Sequence, residues 1–504
     1  MKEKHFPVLL FVIAFLCVLI FNEWNLSTLR SDRVTLRENV TVKTADDASY
    51  LRPMERLYEH GSLYTNDTEK WTSIRRSPGY GLMYYGALSV AGKEHALILL
   101  KWIQYILYAL SVVALYYLGF YLFNDQKWAL LPALLYGCWP VYYGFLAYTL
   151  TEAITPALFI FTYYFVVKGI QQKKMTVWLF AGLLGGWLVL TRPVLGVFLV
   201  PLPFIMWFTY RRKLLPLLGV SILLALPMVG WQLRHKVVLG SFQSVHPIYL
   251  NEVAGMYRLP HQSLWNLVKS WEYQSASFHD LTGPFWHAAN QNENPKAPIE
   301  SFLSKLPEHV KTTIGTSEWE AYLQLLYNAI QASTQSKLSH TPLPEDEIAA
   351  SKANELKQKY IAKHWFDYGV ITPLKVFKEL TFHSNLPYYA IQGKYRGNSV
   401  VEVIRWISFF LYSSGVFVLL CLPVLWLIRF KRTLHKIENH PRFLLVFLLV
   451  VSAFVYLCFL AFYQRGIEER YTTPILWIGL IGGVYLVRKL SLRSKFSKGE
   501  GEGI

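Results

Sequence analysis

Long apolar runs separated by short polar stretches divide this chain into ten segments: 6–22, 95–123, 128–147, 149–167, 176–191, 193–210, 214–232, 401–428, 443–463 and 471–487. At about 1.5 Å of rise per residue, runs of this length reach across a hydrocarbon core as helices. The pattern predicts an all-α polytopic membrane protein with about ten transmembrane helices. Segments 128–147 and 149–167 are short and nearly continuous, so a re-entrant or sharply kinked pair is an alternative there. Two hydrophilic stretches interrupt the apolar frame, 23–94 and 233–400. Within the second, Ile348, Ala349, Ala353, Leu356, Tyr360 and Ile361 recur at helical spacing between Glu345 and Lys363. The following stretch, His364 to Phe382, mixes aromatic, apolar and lysine positions and reads as an amphipathic helix lying in a membrane interface.

Composition agrees with that frame: 53% of the residues are hydrophobic and only 16% charged, too apolar for a soluble chain of this size. The charge is also uneven. With the N-terminus placed in the cytoplasm, stretches 1–5, 124–127, 168–175, 211–213, 429–442 and 488–504 carry 19 Lys/Arg against 5 Asp/Glu, whereas the remainder carries 31 against 28. By the positive-inside rule this places both termini in the cytoplasm and 23–94 and 233–400 outside a cell membrane. The basic pI of about 9.4 is thereby accounted for by topology and asks for no nucleic acid. The first apolar run follows Lys2 and Lys4, with no small-residue cleavage site after Phe21, and is expected to be a retained anchor. The implied divisions are 1–232 as an N-terminal transmembrane module whose outer loop 23–94 bears the active site, and 233–400 as a mostly helical extracytoplasmic domain. The C-terminal transmembrane helices follow over 401–487, then a basic cytoplasmic tail over 488–504. Cys17, Cys138, Cys421 and Cys458 all fall within apolar runs, as expected of small buried hydrophobes rather than a disulfide framework.

Against this background a few ionisable residues stand out. Asp46 and Asp47, Arg75 and Arg76, Glu152, Arg192 and Glu468–Arg470 all sit at the same set of span ends. Charge near hydrocarbon is costly, so its collection at one face points to a polar site. Each residue also has a plain structural reading. The Asp pair before Ala-Ser-Tyr-Leu makes a good helix cap. Glu152, shortly before Pro156, suits a helix N-terminus. Arg192 suits an interfacial snorkel, and Arg470 suits a pairing with Glu468 or Glu469. His279, Asp280 and His287 could be drawn as a metal cluster, but their spacing fits no recognised ligand motif.

Read in order, the landmarks are Asp46-Asp47-Ala-Ser-Tyr50, Arg75-Arg76-Ser-Pro78-Gly79-Tyr80, Thr151-Glu152, Thr191-Arg192-Pro193 and Glu469-Arg470-Tyr471-Thr-Thr-Pro474. This series resembles the polytopic GT-C membrane glycosyltransferases of the protein O-mannosyltransferase and aminoarabinose transferase type. The resemblance covers the transmembrane frame but not 233–400. It implies transfer of a sugar from a polyprenyl-phosphate-linked donor to a glycan, lipid or protein acceptor at the outer face of the membrane. Asp46 would be the base that takes the acceptor proton, with Asp47 as partner or substitute, and Glu152 a second acid. Tyr50, Arg75, Arg76, Arg192, Arg470 and Tyr471 would bind the donor. Some relatives use a divalent metal and others none, which leaves the metal open. Two other classes remain in view: a polymerase or ligase joining whole lipid-linked oligosaccharides, and a lipid-sugar transporter or flippase. Transporters place their charges at the bilayer midplane and show two related halves. Here the charges gather at span ends and no halves repeat.

Overall fold

A computed structural model describes residues 5–31, 36–44, 46–210, 214–253, 255–336, 338–383 and 397–497. The basic residues of 1–4, 211–213 and 498–504 lie outside the described residues, and with them part of the charge asymmetry. The chain is an all-α polytopic membrane protein. Among the described residues six helices are long and apolar enough to cross a membrane: Phe6–Ser27, Gly79–Phe123, Leu217–Leu239, Ser399–Ile428, Pro441–Gln464 and Arg470–Ser491. The other four apolar segments are shorter or broken. Gln126–Gly137 and Pro140–Ala147 meet at a bend of 44°, and Met175–Thr191 and Pro193–Trp207 are short helices. Thr155–Gln172 completes the set. One bend thus falls within 128–147, where Pro140 cannot continue the preceding helix, and the chain also leaves helical geometry between that segment and the next, with extended backbone at Tyr148 and Leu150. The four cysteines are free and only partly covered, with Cys138 exposed. That corrects the expectation that they are buried.

The first polar stretch is more ordered than its polarity suggests. Helix α1 (Phe6–Ser31) is followed by a two-residue antiparallel hairpin, β1 (Leu36–Arg37) with β2 (Thr41–Val42). Three helices follow: α2 (Asp47–His60), α3 (Asp67–Thr72) and α4 (Gly79–Phe123). Helix α2 ends where Gly61 adopts φ 67°, its N–H returning to the Leu57 carbonyl, a left-handed closure that glycine makes without a Cβ penalty. Helix α4 begins well before the apolar run at 95, with a break at Gly92. Ser89, Lys93 and Glu94 conceal its first part from a hydrophobicity reading.

One continuous apolar core joins these helices, running from Leu10 to Val484. A second core packs the helices of 259–363, built on Phe302, Trp319, Tyr322, Leu326 and Leu356. Glu345–Lys363 is helical as its spacing predicts, over Pro344–Lys363. Beyond it, Thr372–Thr381 buries Val376 and Leu380 while Trp365, Phe366, Leu374 and Phe382 stay exposed. This is the two-faced pattern expected for 364–382.

The two cores are stitched together near the C-terminal span. The Ile467 N–H donates to the Tyr273 carbonyl at 2.9 Å, and Gln274 bridges Ile467. Gly466 lies flat against the Trp265 indole, so close that any Cβ would overlap the ring.

Candidate active site

Asp46 occupies the cap position of α2 without capping it: its side chain makes no bond to the helix N-terminus. It turns instead to two arginines. The Arg76 guanidinium donates to Oδ1, and Arg470 Nη2 donates to Oδ2 at 3.0 Å. The structural role that the sequence allows an N-terminal Asp is therefore not the one it plays. Burial works to raise the Asp46 carboxyl, but the charges and hydrogen bonds of Arg76 and Arg470 outweigh it and hold it below the usual carboxylate range.

Asp47 is one residue on and differently engaged. It is buried and takes both ends of the Arg37 guanidinium, at 3.0 and 3.1 Å, while its N–H donates to Thr44 Oγ1 at 3.2 Å. The β1–β2 hairpin sets Arg37 in place for this bidentate pair. Asp47 thus ties the hairpin to the start of α2, and the cluster receives Asp46 alone.

Glu152 and Arg192 close the other side. Arg192 Nη1 donates to Glu152 Oε1 at 2.9 Å, and both are largely buried, at 12% and 4% side-chain exposure. Arg470 Nε lies 3.7 Å from the same Glu152 oxygen and 2.6 Å from Glu468 Oε2. Arg470 therefore joins Asp46, Glu152 and Glu468, and its sequence-level alternative of pairing with Glu468 holds at the same time as its meeting with Asp46. Three carboxylates face three arginines, a balance that low-dielectric surroundings demand. Aromatic rings flank the charges. The Arg76 guanidinium lies 5.4 Å from the Tyr50 ring centre, and that of Arg192 lies 5.4 Å from Tyr471.

Close packing sets the register of these groups. Gly79, at the start of α4, presses against the backbone of Leu190 and Thr191, where a Cβ would overlap main-chain atoms. Trp187 Nε1 donates to the Gly79 carbonyl at 2.8 Å. This contact holds the ends of two helices together and so brings Arg76 and Arg192 to one site. Tyr456 contributes from a third helix, its hydroxyl donating to the Tyr471 carbonyl at 2.8 Å.

Arg75 goes elsewhere: its guanidinium sits 4.8 Å from the ring centre of Tyr257. Residues absent from the sequence reading are Arg37, Tyr456, Tyr257 and His246. Arg37 lies in a polar stretch where an arginine carries no signal, and Tyr257 and His246 come from the divergent second stretch. Among the described residues no group of three His, Cys, Asp or Glu side chains is arranged to hold a metal ion. The carboxylates of the cluster already answer to arginines, so the residues present do not fit a divalent ion.

Next to Arg234, an apolar groove of about 480 Å³ runs between α2 and the helix Leu217–Leu239, lined by Met54, Leu57, Leu82, Leu190 and Val238.

No curated protein matches the chain. Its fold aligns at a TM-score of 0.45 and 11% identity with the archaeal oligosaccharyltransferase AglB from Archaeoglobus fulgidus, in complex with an inhibitory peptide and a dolichol-phosphate. That alignment covers 100% of this chain, which spans 53% of the AglB chain. A second alignment, with ArnT from Cupriavidus metallidurans bound to undecaprenyl phosphate, has a TM-score of 0.35 and 11% identity and covers 98% of this chain and 80% of that one. Residues 76–231, the stretch that carries Arg76, Gly79, Glu152 and Arg192, match the family described as dolichyl-phosphate-mannose-protein mannosyltransferase, so the chain resembles the GT-C glycosyltransferases as its motifs lead one to expect.

Proposed function

We propose that this protein is an integral membrane glycosyltransferase that moves a sugar from a polyprenyl-phosphate-linked donor to an acceptor hydroxyl, at the outer face of the membrane. The observation that carries the reading is the placement of Asp46 between Arg76 and Arg470, beside the Glu152–Arg192 pair. In the reaction the acceptor oxygen forms a bond to the anomeric carbon while the carbon–oxygen bond to the lipid phosphate breaks. The acceptor proton passes to the Asp46 carboxylate, and the electron pair leaves with the phosphate. Arginines beside that phosphate compensate its growing charge through charge-assisted, bidentate bonds.

The same arginines regulate the base. While Arg76 and Arg470 hold Asp46, its carboxylate is a weak proton acceptor. A donor phosphate that draws them toward itself leaves Asp46 buried with less compensation and therefore more basic. Donor arrival and base activation are then one event. Glu152 keeps Arg192 oriented, and Glu468 does the same for Arg470. The groove below Arg234 suits the polyprenyl tail, whose isoprenes need only apolar lining.

The outer location rests on the excess of basic residues in the opposite loops. A cysteine placed at Ser277 in a cysteine-free background and protected from membrane-impermeant reagent in intact cells would refute it. The activity itself is tested by incubating the detergent-purified protein with a panel of polyprenyl-phosphate sugars. Release of polyprenyl phosphate from one of them is expected, and no turnover of any donor, with water or with added acceptors, would count against the reading.

A further inference from the structure

A second polar centre lies on the far side of Tyr471. A cavity of about 540 Å³ opens there between the helices of 259–363 and the end of Pro441–Gln464, and Tyr471 forms part of its wall together with His246. Three cations line it, Lys269, Lys357 and Arg465. They are close enough that Lys357 and Arg465 both repel the Lys269 ammonium, which burial and this repulsion push down to about 8. Among the described residues none of the three forms an ion pair with an acidic side chain.

The cations are held in place by contacts that do not neutralise them. Arg465 is 2% exposed. It donates to the carbonyls of Phe462, Lys269 and Tyr368 at 3.2, 3.2 and 2.6 Å and stacks 3.8 Å from the Tyr368 ring centre. Its backbone adopts φ 52°, ψ −46°, a conformation that non-glycine residues seldom take and one that strained functional segments tolerate. Lys269 Nζ lies 5.0 Å from the ring centre of Trp265. His261, 6% exposed, also lines the cavity, and its Nδ1 is buried without a partner. Gathering one buried and two half-buried cations without a carboxylate costs stability, and so does leaving an imidazole nitrogen unsatisfied. Folding alone gives no return for either cost, whereas an anion in the cavity would answer both.

The position of the cavity says what such an anion does. Tyr471 stands between it and Arg192, and His246 stands between it and the Arg76–Asp46 pair, whose charges it feels. A group bound here therefore lies next to the Asp46 cluster, with Tyr471 and His246 as the shared wall. We infer that this cavity is the acceptor site and that it takes an acceptor carrying a phosphate group, held by Lys269 and Lys357 in the field of Arg465. This rests on the transferase reading above. Two sources share that chemistry. One is a lipid headgroup, reached past Phe462 and Tyr463, which stand 50% and 69% exposed at the end of a membrane-spanning helix. The other is a water-soluble phosphorylated sugar.

Direct binding separates the site from the reaction. The purified full-length protein in a neutral detergent is titrated by calorimetry with glucose 6-phosphate and, separately, with dihexanoylphosphatidylglycerol. Glucose and dihexanoylphosphatidylcholine serve as uncharged or zwitterionic counterparts. At least one anionic probe should bind while its counterpart does not, and the tighter of the two names the source. The double variant Lys269→Gln/Lys357→Gln should bind about tenfold more weakly or worse, because two charge-assisted contacts are lost. Lys357→Gln alone, at a half-buried position, gives the same test if the double variant does not fold. Binding that is equal in wild type and variant overturns the inference, as does binding of neither anionic probe or equal binding of the counterparts. No donor takes part, so anion binding by a protein that turns over no polyprenyl-phosphate sugar sinks the transferase reading and leaves the anion site standing. Donor turnover without anion binding does the reverse.

Discussion

Around Asp46, Glu152 and Glu468 every carboxylate meets an arginine, whereas in the cavity across Tyr471 the cations Lys269, Lys357 and Arg465 meet no carboxylate among the described residues. The two centres share walls and differ in charge balance. A balanced cluster is stable before substrate arrives and must rearrange to work, since each charge already has a partner. An unbalanced one is ready to receive an opposite charge and gains stability when it does. On the proposed reading, one small volume holds a site that substrate must open and a site that substrate completes.

The largest expected effect strikes the balanced side. Replacing Asp46 with Asn should reduce sugar transfer by about 10²- to 10⁴-fold, the usual cost of losing a general base, while the anionic probe continues to bind in the cavity. Turnover near that of the wild type would move the base elsewhere. Next is Arg192→Met, which leaves Glu152, 4% exposed, with only the more distant Arg470 guanidinium at 3.7 Å. Breaking a buried pair from one side costs about 3–5 kcal/mol, so thermal unfolding in detergent should come markedly earlier, and adding Glu152→Gln should restore most of the loss. An unchanged transition would mean that the pair is solvated, and the contrast with the cavity would lose its basis.

The smallest effect is a shift of pH dependence. Arg76 lowers the Asp46 carboxyl and burial raises it, so Arg76→Gln removes a lowering influence and leaves the raising one. The acid limb of kcat/KM, set by ionisation of the free enzyme, should move to higher pH in the variant. In the wild type Asp46 is depressed, so the stability it contributes is complete above the ordinary Asp range near 3.9 and is lost as pH falls through its lower folded value. A limb that stays in place or moves down would detach Asp46 from the rate.

Much of the first centre was legible in the sequence because its residues are out of place there. Glu152, Arg192 and Arg470 interrupt apolar runs, and a charge at such a position asks for an explanation from sequence alone. Their convergence also followed from sharing one set of span ends. The different fates of Asp46 and Asp47 were not legible. They depend on Arg37, which a two-residue hairpin delivers to Asp47, and no residue pattern announces so short a hairpin. Arg75 resembles Arg76 in sequence, yet one stacks on Tyr257 and the other pairs with Asp46. The helical frame follows from the sequence in kind. Helix lengths do not follow where polar residues extend a helix, as in the part of α4 before residue 95, or where Pro140 breaks one. The cavity left no trace in the sequence at all. Its cations lie in separate polar or border positions, where lysines and arginines are ordinary, and only the packing of 259–363 against the last two spans collects them.

That packing has a mechanical side. The short run of chain from Arg465 to Arg470 is pinned at its start, where Gly466 is pressed on Trp265 and Ile467 bonds to Tyr273, and it ends in the guanidinium that Asp46 grips. A chain spans at most about 3.3 to 3.6 Å per residue, so these few residues keep Arg470 within a short distance of the module of 259–363. On the proposed reading, a ligand in the cavity that shifted that module would reach the hold of Arg470 on Asp46 through this segment.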